Sequence, residues 1–490
     1  MARRPHIVIF NPDHYRGDVL GHAGNPGAVT PNLDRLAREE AMSFTGAFCQ
    51  NPVCVPSRCS FMSGWYPHVR GHRTMAHMMR PDEPVLLRTL KDAGYWVWWG
   101  GKNHLVSERF GFEEYCDVRF VPPTAPLTRA GRARSDWRGR PGSDSYYSFF
   151  RGKTPLRKGE KFFYDHDWAC VQGAVDLIRE APSGRPLCLF LPLIFPHLPY
   201  CVEEPWFSMI DRRKIPPRIP TPENWDGLPP IMKGLHANYN MGAWNEKRWR
   251  ELKAVYYGMC ARIDHQVGMV VDALRSKGFW DDTLFLFFSD HGEYAGDHGL
   301  IDINQNTFHD SLTRVPFLVK PPAGVLRKPG VHRALVELVD MPATVEDLTG
   351  LSLGHQHFGR SLVPLLHGEA REHRDAVFCE GGRLPREFES MELEVSAHLN
   401  PSGQYWPRLR LMRTDGNEFL KAVMCRTHDY KYVRRLGGAD ELYDLRKDPG
   451  ERDNRIADPG LAGVLAELKD RTLTFFLETG DVVPRSIDPH

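Results

Sequence analysis

The chain has 490 residues, of which 41% are hydrophobic, 26% charged and 11% aromatic. These globular values exclude a disordered or collagen-like chain, and the length allows either about three domains or one large α/β domain with a smaller one. The 63 basic and 62 acidic residues leave a formal net charge of +1, which gives no electrostatic basis for binding nucleic acid or a membrane surface.

Short β-type segments alternate with helical segments over most of the chain. A helix is predicted over 30–38, with Thr30 as its N-cap and Pro31 at the first helical position. A long helix is predicted over 251–277, where apolar residues recur at three-to-four spacing. The predicted strands of this part are 7–10, 95–99, 186–193, 283–288 and 315–319. Strands separated by helices predict an α/β fold with a large, mostly parallel sheet sandwiched by helices.

The pattern changes after about residue 370. The elements predicted there are strands over 409–413, 422–426 and 430–434, a turn at 436–439, a strand over 441–445 and a closing helix near 461–477. We therefore divide the chain into a catalytic domain, 1–370, and a smaller C-terminal α+β domain with an antiparallel sheet, 371–490. Two insertions in the first domain, at about 121–164 and 203–250, are candidates for the walls of a pocket.

Polar residues follow four of the predicted strands. They are Asn11 to His14, Lys102 to His104, His197, and Asp290 with His291. In open α/β sheets the active site lies at the carboxyl ends of the strands, so we expect these side chains to converge on one site.

The segment from Cys54 to Gly64 places a cysteine at a predicted helix start, since Pro56 suits the first turn. The Cys54 side chain would face the positive end of the helix dipole, and Arg58 adds a cation one turn later. An anion held against Cys54 would be stabilised there. Taken alone, such a cysteine is more often a small core residue.

This segment resembles the signature of the type I sulfatases, Cys-x-Pro-Ser-Arg followed by glycine six residues after the arginine. Cys54, Pro56, Arg58 and Gly64 match it. The resemblance implies an alkaline-phosphatase-like fold. It also implies that Cys54 is converted to formylglycine, the nucleophile, by a formylglycine-generating enzyme.

The resemblance also implies a ligand set for one divalent metal ion. Its members would be Asp13, His14, Asp290, His291 and the residue made from Cys54. Carboxylate ligands favour Ca²⁺, our first choice, or Mg²⁺, and the imidazoles leave Mn²⁺ open.

Four further side chains have roles implied by the same resemblance. Lys102 and Arg58 would neutralise charge on the transferred group. His104 would take a proton from the nucleophile, and His197 would protonate the leaving oxygen.

One position departs from the family pattern. A second sulfate-binding lysine is expected shortly after the Gly299-Leu300 pair, and Ile303 stands in its place. The neighbouring amides of Asn304, Gln305 and Asn306 are candidates for replacing it as neutral donors. The nearby Asp297-His298 pair is interpreted as a structural turn.

The sequence therefore predicts hydrolysis of an aryl or alkyl sulfate monoester. A formylglycine-dependent phosphonate monoester or phosphodiester hydrolase is the first alternative, kept open by His291 and Ile303. A non-catalytic binder of a sulfated ligand is a remote alternative, against which the presence of Cys54, Asp13 and Asp290 argues.

The apolar run at 7–10 is too short for the core of a signal peptide, and no cleavage site of small residues follows it. Ten cysteines in a chain of this length do not indicate a disulfide framework. We expect a cytoplasmic protein with reduced thiols. Its expected partners are a small sulfate ester and the maturation enzyme, without nucleic acid or membrane. A homo-oligomer stays open.

Overall fold

A computed structural model describes residues 4–123, 138–156, 158–160, 163–181, 184–393, 399–414 and 416–485. In these residues no helix is both long and apolar enough to cross a membrane. The described helices are Pro31–Glu39 (α1), Cys54–Ser63 (α2), Pro67–Arg70 (α3), Leu86–Asp92 (α4), His166–Glu180 (α5), Trp206–Met209 (α6), Pro230–Tyr239 (α7), Glu246–Lys277 (α8), Asp310–Thr313 (α9), Asp340–Thr349 (α10), Val363–Leu366 (α11), Trp406–Met412 (α12) and Ala462–Thr479 (α13).

The described strands are His6–Asn11 (β1), Met42–Phe48 (β2), Trp96–Gly100 (β3), Val118–Phe120 (β4), Phe150–Lys153 (β5), Leu187–Pro192 (β6), Tyr200–Val202 (β7), Thr283–Phe288 (β8), Phe317–Lys320 (β9), Gly330–Glu337 (β10), Val377–Gly381 (β11), Ala422–Arg426 (β12), Tyr430–Arg435 (β13) and Glu441–Asp444 (β14). They form an eight-stranded sheet in the order β10-β2-β9-β8-β1-β6-β3-β4, a four-stranded sheet β11-β12-β13-β14, and a β5-β7 pair.

The large sheet is mostly parallel, as predicted. Only β9 runs the other way among its described strands, since it pairs antiparallel with both β2 and β8. Alternate side chains of β1 enter two different cores: Val8 and Phe10 lie in one, and Ile7 and Ile9 in the other. Helices α1, α5 and α8 supply the first core, and α2, α4 and α10 supply the second. The sheet is therefore covered on both faces, which explains why β1 is apolar without alternation.

The C-terminal sheet is antiparallel throughout, and helix α13 packs on it through Leu468. The expected α/β plus α+β organisation is therefore confirmed. The division at residue 370 stays a prediction. Residues 124–137 of the first predicted insertion lie outside the described residues, and the second insertion contributes α6, α7 and the start of α8.

The strand predicted over 409–413 is wrong, because this segment belongs to helix α12. Pro407 occupies the first turn of α12, where its missing N–H has no helical partner to lose. Leu409 and Met412 lie three residues apart and are both buried. In the sequence, the alternation of leucine and arginine at 408–411 resembles the pattern of a strand. In the structure, the buried residues recur with the period of a helix.

Two helix starts also refine the predictions. Thr30 is at the N-cap of α1, but its side chain makes no capping hydrogen bond and donates to Asp34 Oδ1 instead, at 2.9 Å. The long helix α8 begins at Glu246, five residues before the predicted start, because the Asn245 side chain caps it by accepting from Arg248 N.

Candidate active site

Four adjacent strands bring the predicted residues together. Strands β8, β1, β6 and β3 are neighbours in the sheet and run parallel. Asp290 follows β8, Asp13 follows β1, His197 follows β6 and Lys102 follows β3. Because the carboxyl ends of parallel strands meet at one edge, these side chains are delivered to the same place.

Cys54 is the first residue of α2 and its side chain lies at the centre of this group, with only 3% of the residue exposed. Its Sγ lies 3.5 Å from Asp13 Oδ1, 3.1 Å from His291 Nε2 and 3.8 Å from Lys102 Nζ. The helix start thus presents the sulfur to a carboxylate, an imidazole and an ammonium group, as the sequence indicated.

Two cations hold the two carboxylates of the site. Arg58 is fully buried and donates from Nε to Asp290 Oδ2 at 2.9 Å. Its Nη2 lies 2.8 Å from the same oxygen and 3.4 Å from Asp13 Oδ2, as an ion pair with both carboxylates. Lys102 donates to the same Asp13 oxygen. Burial alone would raise the pKa of Asp13, but Lys102, His14 and Arg58 hold it well below its ordinary value. Burial and then the nearby Asp13 raise the pKa of Asp290.

The donor set fits a divalent ion. Ligand atoms of Asp13, His14, Cys54 and His291 all lie within 4.8 Å of one another. His14 Nε2 is buried without a hydrogen-bond partner, which is what a metal-facing nitrogen requires. Asp290 Oδ1 lies 3.8 Å from His291 Nε2, beside this group. Carboxylate and imidazole donors of this kind suit Ca²⁺, Mg²⁺ or Mn²⁺.

Glu293 supports this group, a role that the sequence analysis missed. Its Oε2 lies 2.7 Å from His14 Nδ1, and its Oε1 accepts from the Tyr200 hydroxyl at 2.8 Å. A carboxylate can only accept, so the imidazole proton sits on Nδ1 and Nε2 is free to face an ion. The available signal was the position of Glu293, two residues after a predicted ligand.

The two predicted proton-transfer residues lie at the rim of the group. The His197 ring is 4.2 Å from the His14 ring, and its Nδ1 lies 2.8 Å from Leu198 O. Burial, followed by His14 and Lys102, lowers the pKa of His197. Burial, followed by Lys102 and Arg58, lowers the pKa of His104, whose Nδ1 is buried without a hydrogen-bond partner. Both environments favour the neutral imidazole.

The sequence model of the Sulfatase family matches residues 5–351. This chain belongs to the sulfatase family. The match spans the large sheet and every predicted site residue.

Individual relatives agree with the family assignment. The chain is 28% identical over 475 residues to a choline-sulfatase from Rhizobium meliloti, covering 93% of this chain and 83% of the relative. It is 27% identical over 401 residues to an arylsulfatase from Clostridium perfringens, covering 77% and 81%. The structure of a phosphonate monoester hydrolase from Agrobacterium radiobacter aligns with a TM-score of 0.76 at 21% identity, covering 99% of this chain and 100% of that one, which shows a common fold. The fold is alkaline-phosphatase-like, and sulfate ester hydrolysis is better supported than phosphonate hydrolysis.

Ile303, which stands where the sulfatase pattern has a lysine, belongs to the hydrophobic core, and 4% of the residue is exposed. The amide of Gln305 donates to Glu392, and that of Asn306 donates to Glu418 O and Leu420 O at 2.7 and 3.0 Å. These two amides therefore serve contacts with the C-terminal part, contrary to their suggested role as sulfate donors. Asn304 Nδ2 is buried without a hydrogen-bond partner.

The Asp297-His298 pair is a structural element, as interpreted from the sequence. Asp297 Oδ2 pairs with Arg16 Nη1 at 2.7 Å, and its Oδ1 accepts from Ile219 N at 2.9 Å. The Asp297 carboxylate thus binds the loop of Arg16 and the loop of Ile219.

Proposed function

We propose that the chain hydrolyses an aryl or alkyl sulfate monoester, with formylglycine made from Cys54 as the nucleophile. One divalent ion, Ca²⁺ in the first place, would be held by Asp13, His14, Asp290, His291 and the residue at 54. The observation that carries the proposal is the position of Cys54 Sγ, 3.5 Å from Asp13 and 3.1 Å from His291 at a helix start, inside the family match.

The hydrate of formylglycine would supply one hydroxyl to attack sulfur and a second to expel sulfate, and the ion would lower the pKa of the first. Lys102 and Arg58, both adjacent to Asp13, neutralise charge on the transferred group. His104 accepts a proton from the nucleophile, which its neutral form permits. His197 would protonate the leaving oxygen, for which it must first take up a proton, because burial and the nearby His14 and Lys102 lower the pKa of its ring.

A phosphonate monoester or phosphodiester hydrolase that also uses formylglycine is the second candidate. The specific observation in its favour is Ile303 at the position of the second sulfate-binding lysine. A non-catalytic sulfate binder is opposed by the complete set of nucleophile, carboxylates and cations around Cys54.

Maturation and location belong to the same proposal. A formylglycine-generating enzyme converts Cys54, and the protein acts in the cytoplasm. All ten cysteines lie among the described residues, where they are buried and form no disulfide bond, which is compatible with a reducing compartment.

The deciding experiment compares kcat/KM for an aryl sulfate and an aryl phosphonate monoester on protein shown by mass spectrometry to carry formylglycine at position 54. A sulfate preference supports the proposal, and a phosphonate preference moves the chain to the second candidate. Cys54→Ala should abolish turnover, whereas Cys59→Ala, which changes a buried cysteine in the same helix, should retain it. Unchanged turnover in Cys54→Ala would remove the formylglycine mechanism.

A further inference from the structure

A largely buried cation approaches the site from the C-terminal part of the chain. Arg408 lies on α12, and 12% of its side chain is exposed. Its Nη1 donates to Ile303 O at 3.4 Å, the backbone of the position where the sulfatase pattern has a lysine. The guanidinium therefore lies against the backbone of the position where the expected lysine is missing.

Arg408 is connected to the metal-binding group through one intervening carboxylate. Its Nη1 lies 3.8 Å from Asp302 Oδ2, and ligand atoms of Asp302, His14 and Glu293 lie within 4.8 Å of one another. Burial and then His291 lower the pKa of His14, and the charge of Arg408 adds to this lowering. The guanidinium is thus within electrostatic reach of the catalytic group.

The N-cap residue of this helix, Tyr405, is close enough to the site to feel its charges. Burial and Asp302 raise the pKa of Tyr405, one turn before Arg408, and the charges of Cys54 and Asp13 contribute to the same shift. Asn238 of α7 fastens the helix by donating to Pro407 O at 2.9 Å. Helix α12 therefore presents a fixed face to the site.

The guanidinium has donors to spare. It carries five N–H groups, but Nε is buried without a hydrogen-bond partner and the contact with Ile303 O is long. The 3.8 Å separation from Asp302 exceeds hydrogen-bond length, so that ion pair does not use the donors either. A buried cation with unused donors is suited to a tetrahedral anion, which a planar guanidinium can bind through two oxygens.

We propose that Arg408 binds the sulfate group of the substrate and replaces the cation that Ile303 lacks. The assignment rests on the proposed sulfate ester hydrolysis and names the residue that completes its anion site. It makes the C-terminal part of the chain a contributor to substrate binding.

The test measures binding of inorganic sulfate by calorimetry, together with kcat/KM for an aryl sulfate, on metal-loaded protein with formylglycine confirmed. Arg408→Met should weaken sulfate binding about 10- to 100-fold, the range for losing a charge-assisted hydrogen bond in a buried site. Arg410→Met, an exposed position on the same helix, is the matched control and should leave binding unchanged. Arg408→Lys, which keeps the charge without the fork, should give an intermediate loss and serves if the methionine variant does not fold.

Two double variants separate anion binding from a structural pairing with Asp302. Ile303→Lys in the Arg408→Met background should restore sulfate binding, because it returns a cation to the position where the family pattern has a lysine. Asp302→Asn in that background should not restore it. Restoration by Asp302→Asn alone, or sulfate binding unchanged in Arg408→Met, would overturn the assignment.

The calorimetric arm also separates this inference from the proposed function. If wild-type protein with formylglycine confirmed does not turn over aryl sulfate but binds sulfate in an Arg408-dependent way, the result contradicts sulfate ester hydrolysis and supports the anion site. Normal turnover with Arg408-independent binding supports the hydrolysis and contradicts the anion site.

Discussion

The carboxylate of Asp290 is oriented by the cation beside it. Nε and Nη2 of Arg58 both lie against Asp290 Oδ2, and Asp290 Oδ1 therefore faces His291. A buried carboxylate held in this way can present one oxygen to a metal ion without losing its counter-charge.

Asp290→Asn should therefore lose metal and activity together, because the amide removes the negative charge and directs its own N–H₂ at Arg58 or at the ion. Metal content by mass spectrometry and kcat for the preferred ester measure this. Asp297→Asn changes the second Asp-His pair, seven residues further on, and should keep the metal. Full metal occupancy with a normal rate in Asp290→Asn would exclude it as a ligand.

His197→Ala should slow esters with poor leaving groups more than esters with good ones, by up to about 10²- to 10⁴-fold for the poorest. The reason is that only a poor leaving group needs a proton as its bond to sulfur breaks. A plot of log kcat/KM against leaving-group pKa should have a steeper slope for His197→Ala than for the wild type. His428→Ala, at a half-exposed position in the C-terminal part of the chain, is the control. An equal loss across all esters would argue against proton donation by His197.

At the scale of the element, helix α5 fixes the loop that carries His197. Asp167 Oδ1 accepts from Ile194 N at 2.9 Å, and its Oδ2 accepts from Phe195 N at 2.7 Å. These two amides follow β6 and precede His197, so one carboxylate of the helix sets where the loop leaves the sheet.

Asp167→Ala should destabilise the fold by about 1–3 kcal/mol, since it leaves buried backbone donors without an acceptor. It should also reproduce part of the leaving-group effect of His197→Ala. Urea denaturation and the same ester series measure both. Asp176→Ala, an exposed site on the same helix, should change stability by less than about 0.5 kcal/mol. Wild-type stability in Asp167→Ala would show that the loop does not depend on this carboxylate.

Helices α8 and α12 show what the sequence could and could not predict. The long apolar period of α8 made its existence plain, and only its start was missed. Helix α12 is seven residues long, too short for its period to be told from alternation, and Pro407 was the signal that distinguished it. Its partners lie far away in sequence: Arg408 contacts Ile303, 105 residues earlier. Local pattern carries no information on such a contact.

At the scale of the whole molecule, a buried ionic network joins the C-terminal sheet to the loop after the catalytic residues. Lys431 of β13 donates to Asp310 Oδ1 and to Phe308 O, both at 2.7 Å, and also contacts Glu451. Arg426 of β12 pairs with Asp310 at 3.1 Å, and Asp310 N donates to Glu451 Oε2 at 2.6 Å. The sheet thus holds the segment that follows Ile303.

This network gives a pH prediction. Burial raises the pKa of Glu451 from 4.5 to about 7, against the opposing effect of Lys431. The folded state therefore keeps a proton that the unfolded state loses between about pH 4.5 and 7. Stability contributed by this proton is present below about pH 4.5 and is lost as the pH rises to about 7.

The unfolding free energy of wild type relative to Glu451→Gln should fall across this window by up to about 3 kcal/mol and then level off. Urea denaturation at several pH values measures the difference. Glu467→Gln, at an exposed position on α13, should show no such window. A difference that rises with pH would contradict the buried, proton-retaining state of Glu451.

The overall architecture and the central site were predictable because both follow from strand order. Residues placed directly after parallel strands must meet, so Asp13, Lys102 and Asp290 could be grouped from sequence. Glu293 and Arg408 could not be given roles, because each acts through a contact that depends on loop paths and on the docking of the second sheet.

The enclosure of Cys54 has a consequence for biosynthesis. All residues from Cys54 to Arg58 are buried in the finished fold, and Arg58 is fully enclosed. On the proposed formylglycine mechanism, a modifying enzyme that reads this peptide would need it extended and accessible, so we expect conversion of Cys54 to come before the chain folds. The yield of active protein would then depend on whether conversion is faster than folding, and adding a formylglycine-generating enzyme to purified, folded protein should not activate it.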